Sequence, residues 1–150
     1  ALIVTDSVLS RNGYAGIDTS TVGTALSAVV VERCRFDSNF YGLTIVGDYR
    51  VAHVRDSTFY RNFRGIQVVA IVGDASIDVE NTLIAENSVG LFAQRLDVGQ
   101  AQIRVARSTI VGNIFLAIEA QAASSIVSRG DNTLADNAGG EAFTGTYSPQ

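Results

Sequence analysis

An asparagine returns at positions 12, 39, 62, 87, 113 and 137, at intervals of 27, 23, 25, 26 and 24 residues. Each Asn closes the same short pattern: a small residue, any residue, a large apolar one, two more, then Asn. The copies read SVLSRN, CRFDSN, STFYRN, TLIAEN, STIVGN and NTLADN. Six recurrences spread over 150 residues make this a repeat protein. A repeat of about 25 residues is the mark of a solenoid or array, in which each unit buries its apolar face on the next.

The spacing of apolar residues says what each unit is made of. Before each Asn they recur at every second position, as at Val29/Val31, Ala52/Val54, Ile77/Val79 and Ile103/Val105. Three residues before each Asn stands a bulky group: Leu9, Phe36, Phe59, Ile84, Ile110 or Leu134. After the turn, alternation resumes at Ile17, Leu43/Ile45, Ile66/Val68, Leu91/Ala93 and Ile118/Ala120. A period of two, rich in Val, Ile and Thr, predicts strands and almost no helix. An antiparallel sandwich also has many short strands, but nothing in it requires the same residue types at a fixed repeat. The expectation is an all-β, right-handed single-stranded parallel β-helix of about six coils, about 25 residues per coil. The coils fall near 1–25, 26–50, 51–75, 76–100, 101–123 and 124–150, forming one domain with the last as its C-terminal end coil.

These residues resemble the right-handed parallel β-helix, the pectate-lyase-like fold of PbH1-type repeats. The most specific element is Asn followed by Gly and an aliphatic: Asn39–Gly42–Leu43, Asn62–Gly65–Ile66 and Asn87–Gly90–Leu91. The resemblance implies that Asn12, Asn39, Asn62, Asn87, Asn113 and Asn137 stack as a ladder of mutually bonded amides. Gly after the corner is expected to supply a positive φ. The ending SRGDNTLADNAGGEAFTGTYSP (128–149) resembles the last coil of bacterial β-helix repeat proteins of unassigned function. Two departures stand out: Asn113 is followed by Ile-Phe-Leu-Ala, and Ile126 to Leu134 carries one residue more than Ile103 to Ile110. Relatives of this kind are typically exported, which implies an extracytoplasmic or secreted protein. The strand-like Leu2-Ile3-Val4 at the very start leaves a first coil without a cap. Either the chain is a mature or truncated piece of a longer one, or a partner subunit covers that coil, as a homo-oligomer through the uncapped N-terminal coil would.

Composition narrows the function classes. Hydrophobic residues make up 47% of the chain, enough apolar surface to exclude disorder. No run approaches the length of a membrane-spanning helix, so no membrane partner is expected. All eleven basic residues are Arg against 15 acids, a net charge of −4, which argues against a nucleic-acid partner. Phosphate loops, metal-spaced His/Cys sets and nucleophile elbows are missing from the sequence, so no cofactor and no metal are expected. The lone Cys34 takes the small-residue position of Ser7, Ser57, Thr82 and Ser108, hence an inert inward filler.

Aligning the coils puts Glu32, His53, Arg55, Asp78, Glu80 and Arg104 in one outward patch. Glu32 and Glu80 flank Arg55, and His53 neighbours Asp78. Carboxylates one or two coils apart, about 5 or 10 Å, bracket the glycosidase geometries. Opposite charges also alternate coil by coil, as they do at Asp6, Arg33, Asp56, Asn81 and Arg107, which is what a register-setting charge ladder looks like. On the next face Val46, Val69 and Phe92 predict an apolar strip suited to an interface or to sugar stacking. Asp48, Asp74 and Asp97 recur near a turn, where Gly-Asp is ordinary turn chemistry. Arg129-Gly130-Asp131 spells an adhesion tripeptide that short matches often produce. The leading reading is a non-catalytic β-helix structural or surface module, of unassigned biochemical role and able to self-associate. The alternatives are a carbohydrate-binding module, or a polysaccharide lyase or hydrolase fragment acting on glycans along a sheet face.

Overall fold

A strand apolar on one face must bury that face, and a chain of such strands can do so by winding round itself. The computed structural model, which describes residues 1–20, 27–121 and 123–148, does this. The first coil is β1 (Leu2–Thr5), β2 (Val8–Ser10) and β3 (Ala15–Asp18). The second is β4 (Ser27–Glu32), β5 (Arg35–Asp37) and β6 (Tyr41–Val46). The third is β7 (Arg50–Arg55), β8 (Thr58–Tyr60) and β9 (Arg64–Ala70). The fourth is β10 (Ala75–Glu80), β11 (Leu83–Ala85) and β12 (Val89–Arg95). The fifth is β13 (Ala101–Ala106), β14 (Thr109–Val111) and β15 (Leu116–Gln121). The sixth supplies only β16 (Ser125–Ser128) and β17 (Thr133–Ala135), and the short β18 (Gly145–Thr146) follows.

Every pairing is parallel, each strand beside its counterpart one coil away, which gives three sheets of seven, six and five strands. The solenoid thus has five complete turns and a partial sixth, with no helix among the described residues. The expected coil boundary at residue 25 and the final residues of the last coil lie outside the described residues.

The corners correct one expectation. Gly42, Gly65 and Gly90 do not have positive φ; the left-handed residues are those just before each Asn. Arg11, Ser38, Arg61, Glu86 and Asp136 have φ between 53° and 58°, and Gly112 has 63°. The other corner repeats the device at Asp6, Arg33, Asp56, Asn81 and Arg107. The glycines are needed for close approach instead. A Cβ on Gly42 would lie 2.5 Å from the Gly65 carbonyl oxygen and 2.7 Å from the Phe59 ring.

One continuous core fills the coil interior. Phe36 and Phe59 stack face to face at 4.5 Å, and Ile84 and Ile110 continue their column. The asparagines form a second column. Both the backbone N–H and Nδ2 of Asn12 donate to Asn39 Oδ1, at 3.0 and 2.8 Å. The same pair of bonds joins Asn39 to Asn62, Asn62 to Asn87, Asn87 to Asn113 and Asn113 to Asn137. From Asn39 on, each Nδ2 also donates to a carbonyl of the preceding coil, as Asn87 does to Phe59 at 3.0 Å. The column ends on Glu141, whose Oε1 takes both donors of Asn137 at 2.9 and 3.0 Å. Phe143 is partly buried against the core. A hydroxyl column closes the opposite corner: Ser57, Thr82 and Ser108 each donate to the carbonyl two residues before. Cys34 sits in this series, buried, with Sγ 3.2 Å from the Glu32 carbonyl oxygen.

Both departures in the repeat are absorbed at corners. Val89 pairs with Leu116, so the extra residue near Asn113 is looped out at Ile114–Phe115, and Ala117 takes the glycine place. Gly130, at φ 94°, accommodates the other insertion.

Candidate functional site

Parallel in-register pairing carries the alternating residues of the seven-stranded sheet to its outer face as rows. One row reads Val30, His53, Asp78, Arg104 and Val127, and its neighbour Glu32, Arg55, Glu80 and Ala106. The six residues singled out from the sequence therefore do meet on one face.

Asp78 is the centre of the patch. Its two oxygens accept from Arg104 Nε and Nη2 at 2.6 and 2.9 Å, and His53 Nδ1 lies 3.3 Å from Oδ2. Arg55 pairs with Glu32. Glu80 flanks Arg55 on its other side in the row, as the sequence suggested, but its ion pair is with Arg107 from the corner ladder. That ladder continues with Arg33 holding Asp6 in a fork at 2.7 and 2.8 Å, and Asn81 donating to Asp56. The hydrogen bond from Arg33 holds the Asp6 carboxyl below its usual range.

The groove beside this face has no counterpart in the repeat pattern. β18 pairs with β16 as the last strand of the sheet, and Thr146, Tyr147 and Ser148 there bound an open groove of about 760 Å³. Burial raises the Tyr147 hydroxyl pKa, and the Asp78 charge adds to the shift. Only the pairing register of two residues places Tyr147 here, and an irregular tail has no period from which to read it.

A general acid needs a carboxyl that keeps its proton, which burial or a neighbouring like charge provides. In this patch each carboxylate faces an arginine of an adjacent coil. A general base would be a carboxylate or imidazole open to substrate, but Asp78 has both oxygens occupied and His53 leans on it. The arrangement binds coil to coil.

The other candidates are likewise absorbed. Asp48 Oδ1 accepts the N–H of Val72 and of Gly73 at 2.7 and 2.8 Å, and Asp74 Oδ1 that of Gln100 at 2.9 Å. The Gly73 bond leads in lowering the Asp48 pKa. These aspartates cap the next coil's turn, and no group of three or more metal-binding side chains occurs among the described residues. Arg129 folds back on Asp131 at 2.7 Å, and Asp131 also accepts the Arg107 N–H, so the tripeptide is closed on itself. The expected apolar strip is not open: Phe92 is 1% and Val69 6% exposed. Arg64 lies 3.6 Å over the Phe92 ring and donates to Gln67, which donates to Thr44. Long neighbours fold over this face, which a period-two reading cannot see.

Pairing, burial and repeat length agree with a family model described as a right-handed β-helix region, which matches residues 1–139. The chain belongs to this right-handed β-helix family. The match fixes the hand of the solenoid and covers five turns and the start of the end coil. Among curated proteins and among solved structures nothing matches the chain.

Proposed function

We propose that this right-handed β-helix is a non-catalytic structural module, a stiff shaft whose outer charges hold its coils in register. What carries the reading is that Glu32, Asp78 and Glu80 are each paired with an arginine, through Arg55, Arg104 and Arg107. The asparagine column is read, on the same footing, as the ladder of pectate-lyase-like folds, again a structural device. Self-association through the first coil belongs to this reading. β1, β2 and β3 each stand at the end of their sheet, and Leu2 and Ile3 are exposed.

A second reading rests on the groove beside Tyr147, which offers His53, Arg55, Arg104 and Gln102 along the coil axis. It is a carbohydrate-binding module, or a lyase or hydrolase fragment, with a glycan lying on the seven-stranded sheet. One experiment separates the two: a screen of neutral glycans and uronate polymers for binding, with lyase and reducing-end assays on every binder. The module reading expects neither binding nor turnover. Turnover abolished by Glu80→Gln would replace it with an enzyme, and binding without turnover with a carbohydrate-binding module.

A further inference from the structure

Asn12 is the one column asparagine followed by glycine; the others precede Phe40, Phe63, Ser88, Ile114 and Ala138. An asparagine side chain holds its amide carbon within reach of the next residue's backbone nitrogen, and a side chain on that residue hinders the approach. Gly13 offers no such hindrance. A Cβ placed on it would meet nothing within 4 Å, so packing does not require glycine there. The column also ties down this nitrogen in its interior. After Asn62, Asn87, Asn113 and Asn137 the next N–H donates to the asparagine carbonyl one coil back, at 2.8 to 3.2 Å. The N–H after Asn39 lacks that bond, but Asn39 is 4% exposed and its Nδ2 is held by both Asn62 and Leu9. At the first rung every restraint is relaxed. The Gly13 N–H donates to nothing among the described residues, and Asn12 is exposed. The Asn12 amide makes one hydrogen bond, from Nδ2 to Asn39 Oδ1 at 2.8 Å.

We propose that Asn12 is a deamidation site, and that its conversion loosens the first coil. The Gly13 nitrogen, giving up its proton to solvent, bonds to Asn12 Cγ. The Cγ–Nδ2 bond breaks and ammonia leaves, closing a succinimide ring. Water then opens the ring. Cleavage of the new Cγ–N bond leaves aspartate at this position; cleavage of the original peptide C–N bond leaves isoaspartate, with Cγ in the main chain. No electrons are transferred, and water is the one co-reactant. Either product puts a carboxylate where Nδ2 stood, so the bond between the first two rungs becomes a contact between two acceptors. Isoaspartate also adds a main-chain methylene between Arg11 and Tyr14. That span is fixed at both ends, by the Arg11 N–H on the Asp37 oxygen at 3.0 Å and the Tyr41 N–H on the Tyr14 oxygen at 2.7 Å. The buried rungs are spared, so the change is confined to the first coil. The seven-stranded sheet takes no part, and the site stands whether or not that face binds a glycan.

Ageing the folded chain in dilute, mildly alkaline buffer tests the site, with peptide masses and isoaspartyl methyltransferase labelling as readouts. Aspartate and isoaspartate are expected at position 12 alone, at a rate within about tenfold of that in the urea-unfolded chain, as at a frayed end. Gly13→Ala fits the open space and should slow conversion roughly tenfold or more, because a side chain then shields the nitrogen. An Asn12 amide that survives while the unfolded chain converts overturns the proposal. So does equal conversion of the buried Asn87, or no slowing in Gly13→Ala. Asn12→Asp installs one product directly. In that variant hydrogen exchange at the Arg11 and Tyr41 amides should rise roughly tenfold or more, with the fourth coil unchanged. Exchange no faster than in the wild type refutes the loosening. Exchange raised throughout the chain refutes it too, since the effect would then be global.

Discussion

Replacing Asn87 by alanine separates a column that carries load from one that merely repeats. Asn87 is fully buried and sits in mid-stack. Its Oδ1 accepts the Asn62 backbone N–H at 2.9 Å and Asn62 Nδ2 at 3.0 Å, while its own Nδ2 donates to the Phe59 carbonyl and to Asn113. Alanine orphans the Asn62 N–H, on a residue only 2% exposed, at about 1–3 kcal/mol. The lost amide bonds to Asn62 Nδ2 and Phe59 add about 1 kcal/mol each, so the variant should be destabilised by about 3–5 kcal/mol. Asn12→Ala, at the exposed end, removes only an outgoing amide bond to Asn39 and should cost about 1 kcal/mol or less. Urea midpoints, compared at equal m-value, measure the difference. Amide hydrogen exchange adds a local readout, since protection of the Asn62 N–H should fall before global unfolding. Equal cost at Asn12 and Asn87, or unchanged Asn62 protection, would refute the reasoning.

Phe59→Ala opens a hole between Phe36 and Ile84 and should cost about 3–5 kcal/mol in urea unfolding; a near-neutral result would mean the column is not packed as described. Acid should also weaken the fold. Asp48 and Asp131 have pKa values below the ordinary 3.8, chiefly through the backbone N–H groups of Gly73 and Arg107. Their contribution is present above the unfolded-state value and is lost as pH falls through the lower folded-state values. Asp48→Ala should flatten the acid limb of a melting curve measured against pH; an unchanged slope would show that its capping bonds are idle.

The sequence by itself determined the repeat, the strands and the inward register. Phe36, Phe59, Ile84 and Ile110 could be placed inside from spacing alone, because a stack of near-identical coils converts chain period directly into position. The same arithmetic brought His53 to Asp78 and Asp78 to Arg104, since parallel in-register pairing makes neighbours of residues one period apart. Wherever the period fails, so does the reading. Glu80 stands beside Arg55 as the period says, yet its ion pair is with Arg107, a corner residue that lies outside its row. Arg64 covers Phe92 because a long side chain reaches past its own row. Glycine after the corner was legible as a requirement, but its cause, a carbonyl of the next coil at 2.5 Å, exists only once coils are stacked. Tyr147 beside the groove and Glu141 at the end of the asparagine column belong to an aperiodic tail, whose path is set by the contacts it makes. Tertiary structure thus decided the two things that stacking alone does not: which charges neutralise which, and what the last coil turns back to cover.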